Sequence, residues 1–291
     1  MERQALVVAG TLSCGPTLDK HLRAVYDVMS DNGRCCGVDY VRIIPCLDTK
    51  DGRLVKGINF VNLKDIADPA EMGEAYSKAG ADELVFLDIT ATVEGRKTFL
   101  DAVKRTVERL TVPLAVGGGI RSVDNMRELF DLGVSRCSVN TAAIKNPSLV
   151  GQAAKEFGSD NVVVAIDTRK NSDMPSGFEL VVDGGRTPVG KDAVDWARQC
   201  EQLGAGQLLP TSMDADGTQA GYDIPMTRAI ADAVSIPVIA SGGAGNLDHL
   251  VEAVVEGKAD AVLVASIFHY GTYTIKQAKE YMASKGLKVR L

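Results

Sequence analysis

Basic charge is in short supply in this 291-residue chain: 32 lysines and arginines stand against 38 aspartates and glutamates, a net charge of −6. A surface that grips a nucleic-acid backbone needs the opposite balance, so no nucleic-acid partner is expected. Long apolar runs are missing as well. None approaches the ~20 residues of a membrane span. The N-terminus lacks a basic region leading into an apolar stretch and a cleavage site, so neither a membrane anchor nor a secretory signal is expected. The three histidines, His21, His249 and His269, show no i,i+4 pairing on a helix. No metal site is expected, and nothing calls for a cofactor. The six cysteines, Cys14, Cys35, Cys36, Cys46, Cys137 and Cys200, form no C-x-x-C pair. They read as reduced thiols of a cytoplasmic protein, with Cys46 and Cys137 as small core residues.

What the chain does have is alternation. From residue 41 onward eight short apolar runs recur: Val41–Leu47, Glu83–Ile89, Pro113–Val116, Arg136–Val139, Val162–Ile166, Gln207–Thr211, Pro237–Ala240 and Ala261–Ala265. Most are apolar at consecutive positions, as strands covered on both faces must be. Helix punctuation lies between them. Asp68-Pro69 opens one helix and Gly80 closes it; Asn146-Pro147 and Gly158 repeat the device; Ser122 with Gly133 and Asn246 with Gly257 bracket two more. Strand and helix alternating eight times predict a closed barrel or a large doubly wound sheet. No G-x-G-x-x-G follows the first strand, which disfavours the dinucleotide-binding sheet. A (β/α)₈ barrel needs roughly 250 residues. The chain therefore divides into a barrel over 41–291 and an N-terminal extension over 1–40, read as poorly ordered.

The two halves of the barrel resemble each other. Asp48 ends strand one and Asp167 strand five, Gly119 follows strand three and Gly243 strand seven, and Thr141 follows strand four and Ser266 strand eight. The offsets are 119, 124 and 125 residues, nearly constant, as a duplicated half-barrel requires.

Barrel active sites form at the C-terminal ends of the strands, and three groups of residues fall there. Asp48 and Asp167 end strands on opposite sides of the barrel, so two carboxylates face each other across its mouth as a candidate acid/base pair. Gly-rich turns let backbone N–H groups approach an anion. Gly119 with Asn140 and Thr141 is one candidate phosphate grip; Gly243 with Ala265 and Ser266, joined by Asp216 and Gly217 from the loop after strand six, is the other. Two grips on opposite sides predict a substrate with phosphate at both ends. The third group is the stretch after strand one, Thr49 to Leu63, read as a mobile loop whose Lys56 could close over an anion.

Together these residues resemble the cyclase-subunit family of imidazole glycerol phosphate synthase, of histidine biosynthesis. The resemblance covers nearly all of Val41 to Leu291. It rests on six blocks in order and register: Ile44-Pro45-Cys46-Leu47-Asp48, Phe86-Leu87-Asp88-Ile89-Thr90, Val116-Gly117-Gly118-Gly119-Ile120-Arg121, Val164-Ala165-Ile166-Asp167, Thr211-Ser212-Met213-Asp214-Ala215-Asp216-Gly217-Thr218, and Ile239-Ala240-Ser241-Gly242-Gly243-Ala244-Gly245. It implies a lyase that receives ammonia from a partner glutaminase. The ammonia would pass through the barrel and react with a bis-phosphorylated ribulosyl aminoimidazole carboxamide, giving imidazole glycerol phosphate and aminoimidazole carboxamide ribotide. The position of Asp167 would be the base, that of Asp48 its acid/base partner, and Lys56 would sit on the flexible loop.

The resemblance further implies a charged ring around the ammonia entrance on the opposite face. Arg42, Glu83 and Arg136 fit it, whereas Gln207 stands where a glutamate is usual. Ser135 stands where an aspartate helps to dock the glutaminase, and the extension starts from the same face, so altered docking or ammonia entrance is expected. Pro210 replaces an aliphatic residue within strand six, where it removes a ladder donor, so local distortion is expected. The sister isomerase of the preceding step shares the aspartate pair and both grips; the Thr211–Thr218 block and the long first loop favour the cyclase. A non-catalytic barrel scaffold is another alternative, and an ammonia-dependent synthase that works without a glutaminase, suggested by Gln207 and Ser135, is a third.

Overall fold

The inward stripe of the first strand shows how the molecule is organised. β1 (Arg42–Lys50) alternates faces with a period of two, so Arg42, Ile44, Cys46 and Asp48 point one way and Ile43 and Leu47 the other. Ile43 and Leu47 join the large core between sheet and helices. Ile44 and Cys46 join a second, smaller core made only of strand residues, with Val85, Ala115, Val163, Leu209, Ile239, Ala261 and Leu263. Two separate cores, one inside the sheet and one outside it, are the signature of a sheet closed on itself. The computed structural model describes residues 40–58, 61–89 and 96–291, excepting the side chains of 56–58, 61–66 and 96. The expected extension over 1–40 thus lies, apart from Tyr40, outside the described residues.

The barrel strands are β1, β4 (Leu84–Asp88), β5 (Leu114–Gly117), β6 (Arg136–Val139), β7 (Val162–Lys170), β10 (Gln207–Ser212), β11 (Ile239–Ala240) and β12 (Ala261–Val264). Each pairs in parallel with the next, and β12 pairs with β1 to complete the ring. Between β10 and β11 the ring closes through two isolated bridges, Leu208 with Val238 and Thr211 with Ser241. All eight predicted strands are present, and the fold is the (β/α)₈ barrel.

The thin seam has a local cause. The Leu208 N–H donates to the Pro237 carbonyl at 2.9 Å. Amides two residues apart on a strand point to the same neighbour, so position 210 would donate toward β11 too, and Pro210 has no N–H to give. On its other side Pro210 sits in unbroken register opposite Ile166 of β7. The expected distortion is therefore confined to one flank.

The helices follow the capping chemistry read from the sequence, with one shift. α1 (Pro69–Lys78) is capped by Asp68, α3 (Val123–Asp131) by Ser122 and α8 (Leu247–Val255) by Asn246. Asn146 instead ends the short helix α4 (Thr141–Lys145), and the N-cap of α5 (Ser148–Phe157) is Pro147. The Asn-Pro pair marks a break between two helices rather than a single start.

The stretch after β1 is not the loop that was expected. β2 (Arg53–Ile58) turns back antiparallel onto the end of β1, and β3 (Val61–Ala67) pairs with β2. The turn runs through Asp51 and Gly52, both at positive φ. Leu54 is fully buried against the core, which anchors the base of the hairpin. The same device follows the fifth barrel strand: β8 (Phe178–Val182) pairs antiparallel with the end of β7, and β9 (Thr187–Asp192) pairs with β8. Each half-barrel thus begins with a strand that overruns the barrel and folds into a hairpin, a fourth feature of the internal repeat.

Beside the start of the first strand lies a buried charge cluster. Lys279, on α10 (Ile275–Ser284), donates to Asp82 Oδ1 at 2.8 Å and to the Arg290 carbonyl at 2.6 Å. The Ile43 N–H donates to Asp82 Oδ2 at 2.9 Å. The Lys279 and Asp82 side chains are 5% and 0% exposed. This cluster pins the chain's C-terminal segment under the first strand.

Candidate active site

The C-terminal ends of the strands surround one cavity of about 1120 Å³. Asp48, Gly119, Asn140, Thr141, Asp167, Asp216, Gly217, Gly243, Ala265 and Ser266 all line it. These are all of the candidate pocket residues except Lys56, whose side chain lies outside the described residues.

The two carboxylates reach the cavity by the same rule. On β1 and β7, inward positions alternate with positions that pack on the helices, and the inward stripe ends at Asp48 on one strand and Asp167 on the other. Their surroundings differ. Asp48 is buried and accepts a hydrogen bond from the Cys46 thiol at 3.4 Å. Cys46 is therefore part of the pocket floor as well as of the inner core, which corrects its reading as a core residue alone. Asp167 is half-buried in the cavity wall, and the protein packed around its carboxyl group pushes its pKa up to about 7. The Asp216 carboxylate adds to the rise, while a hydrogen bond from Asn140 works against it. A carboxyl group titrating near neutrality can both accept and return a proton at physiological pH. The other Asn140 amide atom, Oδ1, is buried without a hydrogen-bond partner.

Both grips are built alike. Gly118 and Gly119 have φ of 92° and 65°, and Gly242 and Gly243 have 88° and 105°. A Cβ on Gly118 would lie 2.1 Å from the Asp88 carbonyl oxygen, and one on Gly243 2.0 Å from that of Gly221. Glycine is required at both places because another backbone passes against it. The helices that complete the grips, α4 and α9 (Ser266–His269), begin at Asn140 and Ala265 with no side-chain cap on their first-turn amides. Both starting residues have unusual backbone angles, φ −126° and ψ −96° at Asn140, φ −123° and ψ −74° at Ala265. Gly243→Ala is expected to cost at least about 2 kcal/mol, from the positive φ and the clash together. Thermal unfolding measures that loss, and an unchanged midpoint would rule out the close approach.

At the opposite end of the barrel the expected ring is joined by direct hydrogen bonds. Arg42 donates to Glu83 Oε2 and to Gln207 Oε1, both at 2.8 Å, and Arg136 donates to Glu83 Oε1 at 2.8 Å. Arg42, Glu83 and Gln207 are buried. Glu83 shares one carboxylate between two guanidinium groups, and Gln207 supplies a neutral acceptor. The inner core separates this ring from the cavity, and its Cys46, Leu209 and Leu263 also line the pocket.

The sequence reading gave no site role to several further lining residues, among them Lys50, Arg121, Lys145, Asp183 and Arg186. Arg121 and Lys145 could have been found from their spacing, two residues after Gly119 and one helical turn after Thr141. Arg186 reaches the pocket only through the β8–β9 hairpin, which has no clear sequence signal. Among the described residues no group of histidine, cysteine, aspartate and glutamate could hold a metal ion, and no helix is long and apolar enough to cross a membrane. A family model described as "Histidine biosynthesis protein" matches residues 42–274, most of the chain and nearly the whole barrel. The chain belongs to this histidine-biosynthesis family.

Proposed function

We propose that this barrel is the cyclase subunit of imidazole glycerol phosphate synthase. It would use ammonia from a partner glutaminase to convert the bis-phosphorylated ribulosyl aminoimidazole carboxamide into imidazole glycerol phosphate and aminoimidazole carboxamide ribotide. Asp167 would act as base and Asp48 as its acid/base partner. The two glycine grips would hold the two phosphates, and Lys56 would approach the substrate from the β2–β3 hairpin.

The aspartate pair and the grips serve the cyclase and the sister isomerase equally. The observation that favours the cyclase is the buried ring at the far end, with an apolar interior between it and the pocket. An isomerase rearranges one substrate and has no second reactant to admit through the floor. Burying charged side chains is costly and needs a compensating role. A ring of two cations, one anion and one amide favours neutral ammonia over ammonium, because ammonium would meet a net positive collar before desolvation. Ser135 and Gln207 lie on this same face. Docking of the glutaminase is therefore proposed to be altered: weaker coupling to glutamine than to free ammonia.

Turnover of the bis-phosphate with ammonium at alkaline pH is the deciding assay, run beside the isomerase substrate, the aldose form of the same ribotide. Imidazole glycerol phosphate as product supports the cyclase. Conversion of the aldose alone makes the protein the isomerase, and no conversion of either by folded protein leaves the scaffold.

A further inference from the structure

Cations are unevenly spread around the mouth of the pocket. Besides Lys50 on β1, the lysines and arginines among its described lining residues are Arg121, Lys145 and Arg186. All three stand on the side built from the third, fourth and fifth barrel strands. Arg121 follows Gly119 by two residues. Lys145 ends α4, four residues beyond Thr141 and so on the same helical face. Arg186 is carried there by the hairpin after β7. The Asp183 N–H donates to Thr141 Oγ1 at 3.5 Å, and Arg186 Nε donates to the Asp183 carbonyl at 2.7 Å. That tether fixes the guanidinium through one donor and leaves its terminal nitrogens available.

The other side of the mouth is different. Among the described residues, Asp216, Gly217, Gly242, Gly243, Ala265 and Ser266 line it without a lysine or arginine. Its donors are backbone N–H groups, the hydroxyls of Thr211, Ser241 and Ser266 and the Gln219 amide, all neutral, and the charged group among these residues is the Asp216 carboxylate. The two grips share a backbone plan and differ in charge.

We propose that the two phosphate grips are electrostatically unequal: Arg121, Lys145 and Arg186 form a cationic clamp that captures one phosphate end of the substrate first, and the opposite grip holds the second phosphate on neutral donors. This rests on the reading of the pocket as a site for a substrate phosphorylated at both ends. The chain's net charge of −6 repels such a substrate overall. A local cationic cluster at the rim of a low-dielectric cleft focuses the field there and draws one end in. The three residues are exposed, so salt screens their attraction over about 8 Å at physiological ionic strength. The neutral donors of the second grip carry little salt dependence. Arg186 would thus be a specificity determinant that answers to the hairpin and not to the barrel.

The test uses inorganic phosphate as probe, titrated into the wild type and into the combined variant Arg121→Gln, Lys145→Gln, Arg186→Gln. Binding is followed by phosphorus NMR at about 50 mM and about 0.5 M salt, a range over which the screening length falls severalfold. Two sites are expected in the wild type. One weakens by roughly tenfold with salt and the other hardly changes. The variant should unfold at the wild-type temperature and keep only the salt-insensitive site. Equal salt dependence at both sites, a variant that titrates like the wild type, or no phosphate binding at all would overturn the clamp. Turnover separates the two readings. A protein that binds phosphate unequally yet converts neither ribotide keeps the clamp and loses the cyclase assignment. A variant that retains wild-type kcat/KM at low salt keeps the cyclase and loses the clamp.

Discussion

Asp167→Asn is expected to lose turnover by roughly 10³-fold and to gain stability at alkaline pH. The first effect follows from the proposed role, since a positioned general acid/base is worth about 10²–10⁴. The wild-type rate, at constant free ammonia, should rise as pH passes through about 7. The second effect follows from burial. The carboxyl group has a pKa near 3.8 in the unfolded chain and about 7 in the folded one. The folded state therefore holds the proton more tightly, and stability is lost as pH rises from about 4 to 7 and stays lost above that. At about 1.4 kcal/mol per unit, the upper bound is near 4 kcal/mol, reduced by the water that reaches the group from the pocket. The asparagine carries no such penalty. Its unfolding midpoint should exceed the wild type's by several degrees at pH 8 and match it near pH 4. Equal midpoints at both pH values would mean that Asp167 is not held in an ionisation-hostile site.

Asp82→Ala should be the most damaging substitution away from the pocket. The Asp82 side chain is fully buried, accepts hydrogen bonds from Lys279 and the Ile43 amide, and pairs ionically with Arg290 at 3.2 Å. Removing it leaves the Lys279 ammonium, 5% exposed, facing the Arg290 carbonyl without a counter-charge. Breaking a buried pair in this way costs about 3–5 kcal/mol, or roughly 10 °C in the midpoint of a domain of this size. The double change Asp82→Leu, Lys279→Met should recover most of that loss, because it removes both charges instead of stranding one. If the single and double variants melt together, the cost belongs to the Ile43 amide and to packing, not to the ion pair.

The barrel itself was legible because its strands are covered on both faces. Runs such as Val162–Ile166 are apolar at every position, as strands covered on both faces are. The aspartates and glycines at the strand ends were legible for the same reason: they interrupt those runs at fixed places. The hairpins were not. β9 is mostly exposed and carries Pro188 and Gly190, so it has the composition of a loop; only pairing with β8, remote in pattern, makes it a strand. Arg186 was lost with it. The ends of β1 and β7 were set too early because both strands run past the barrel to support the hairpins. The ring at the closed end came from resemblance alone, since a lone arginine or glutamine at the start of a strand carries no signal of its own.

One wall of the barrel is stiffer than its neighbour. Six consecutive register pairs hold β10 against β7, whereas two isolated bridges hold it against β11. Resistance to shear grows with the number of hydrogen bonds that must slide together. Asp167 stands on the stiff wall, and the glycine cradle at Gly243 hangs from the compliant one. A long molecule spanning the mouth is therefore expected to shift the cradle more than the carboxylate, which keeps its aim.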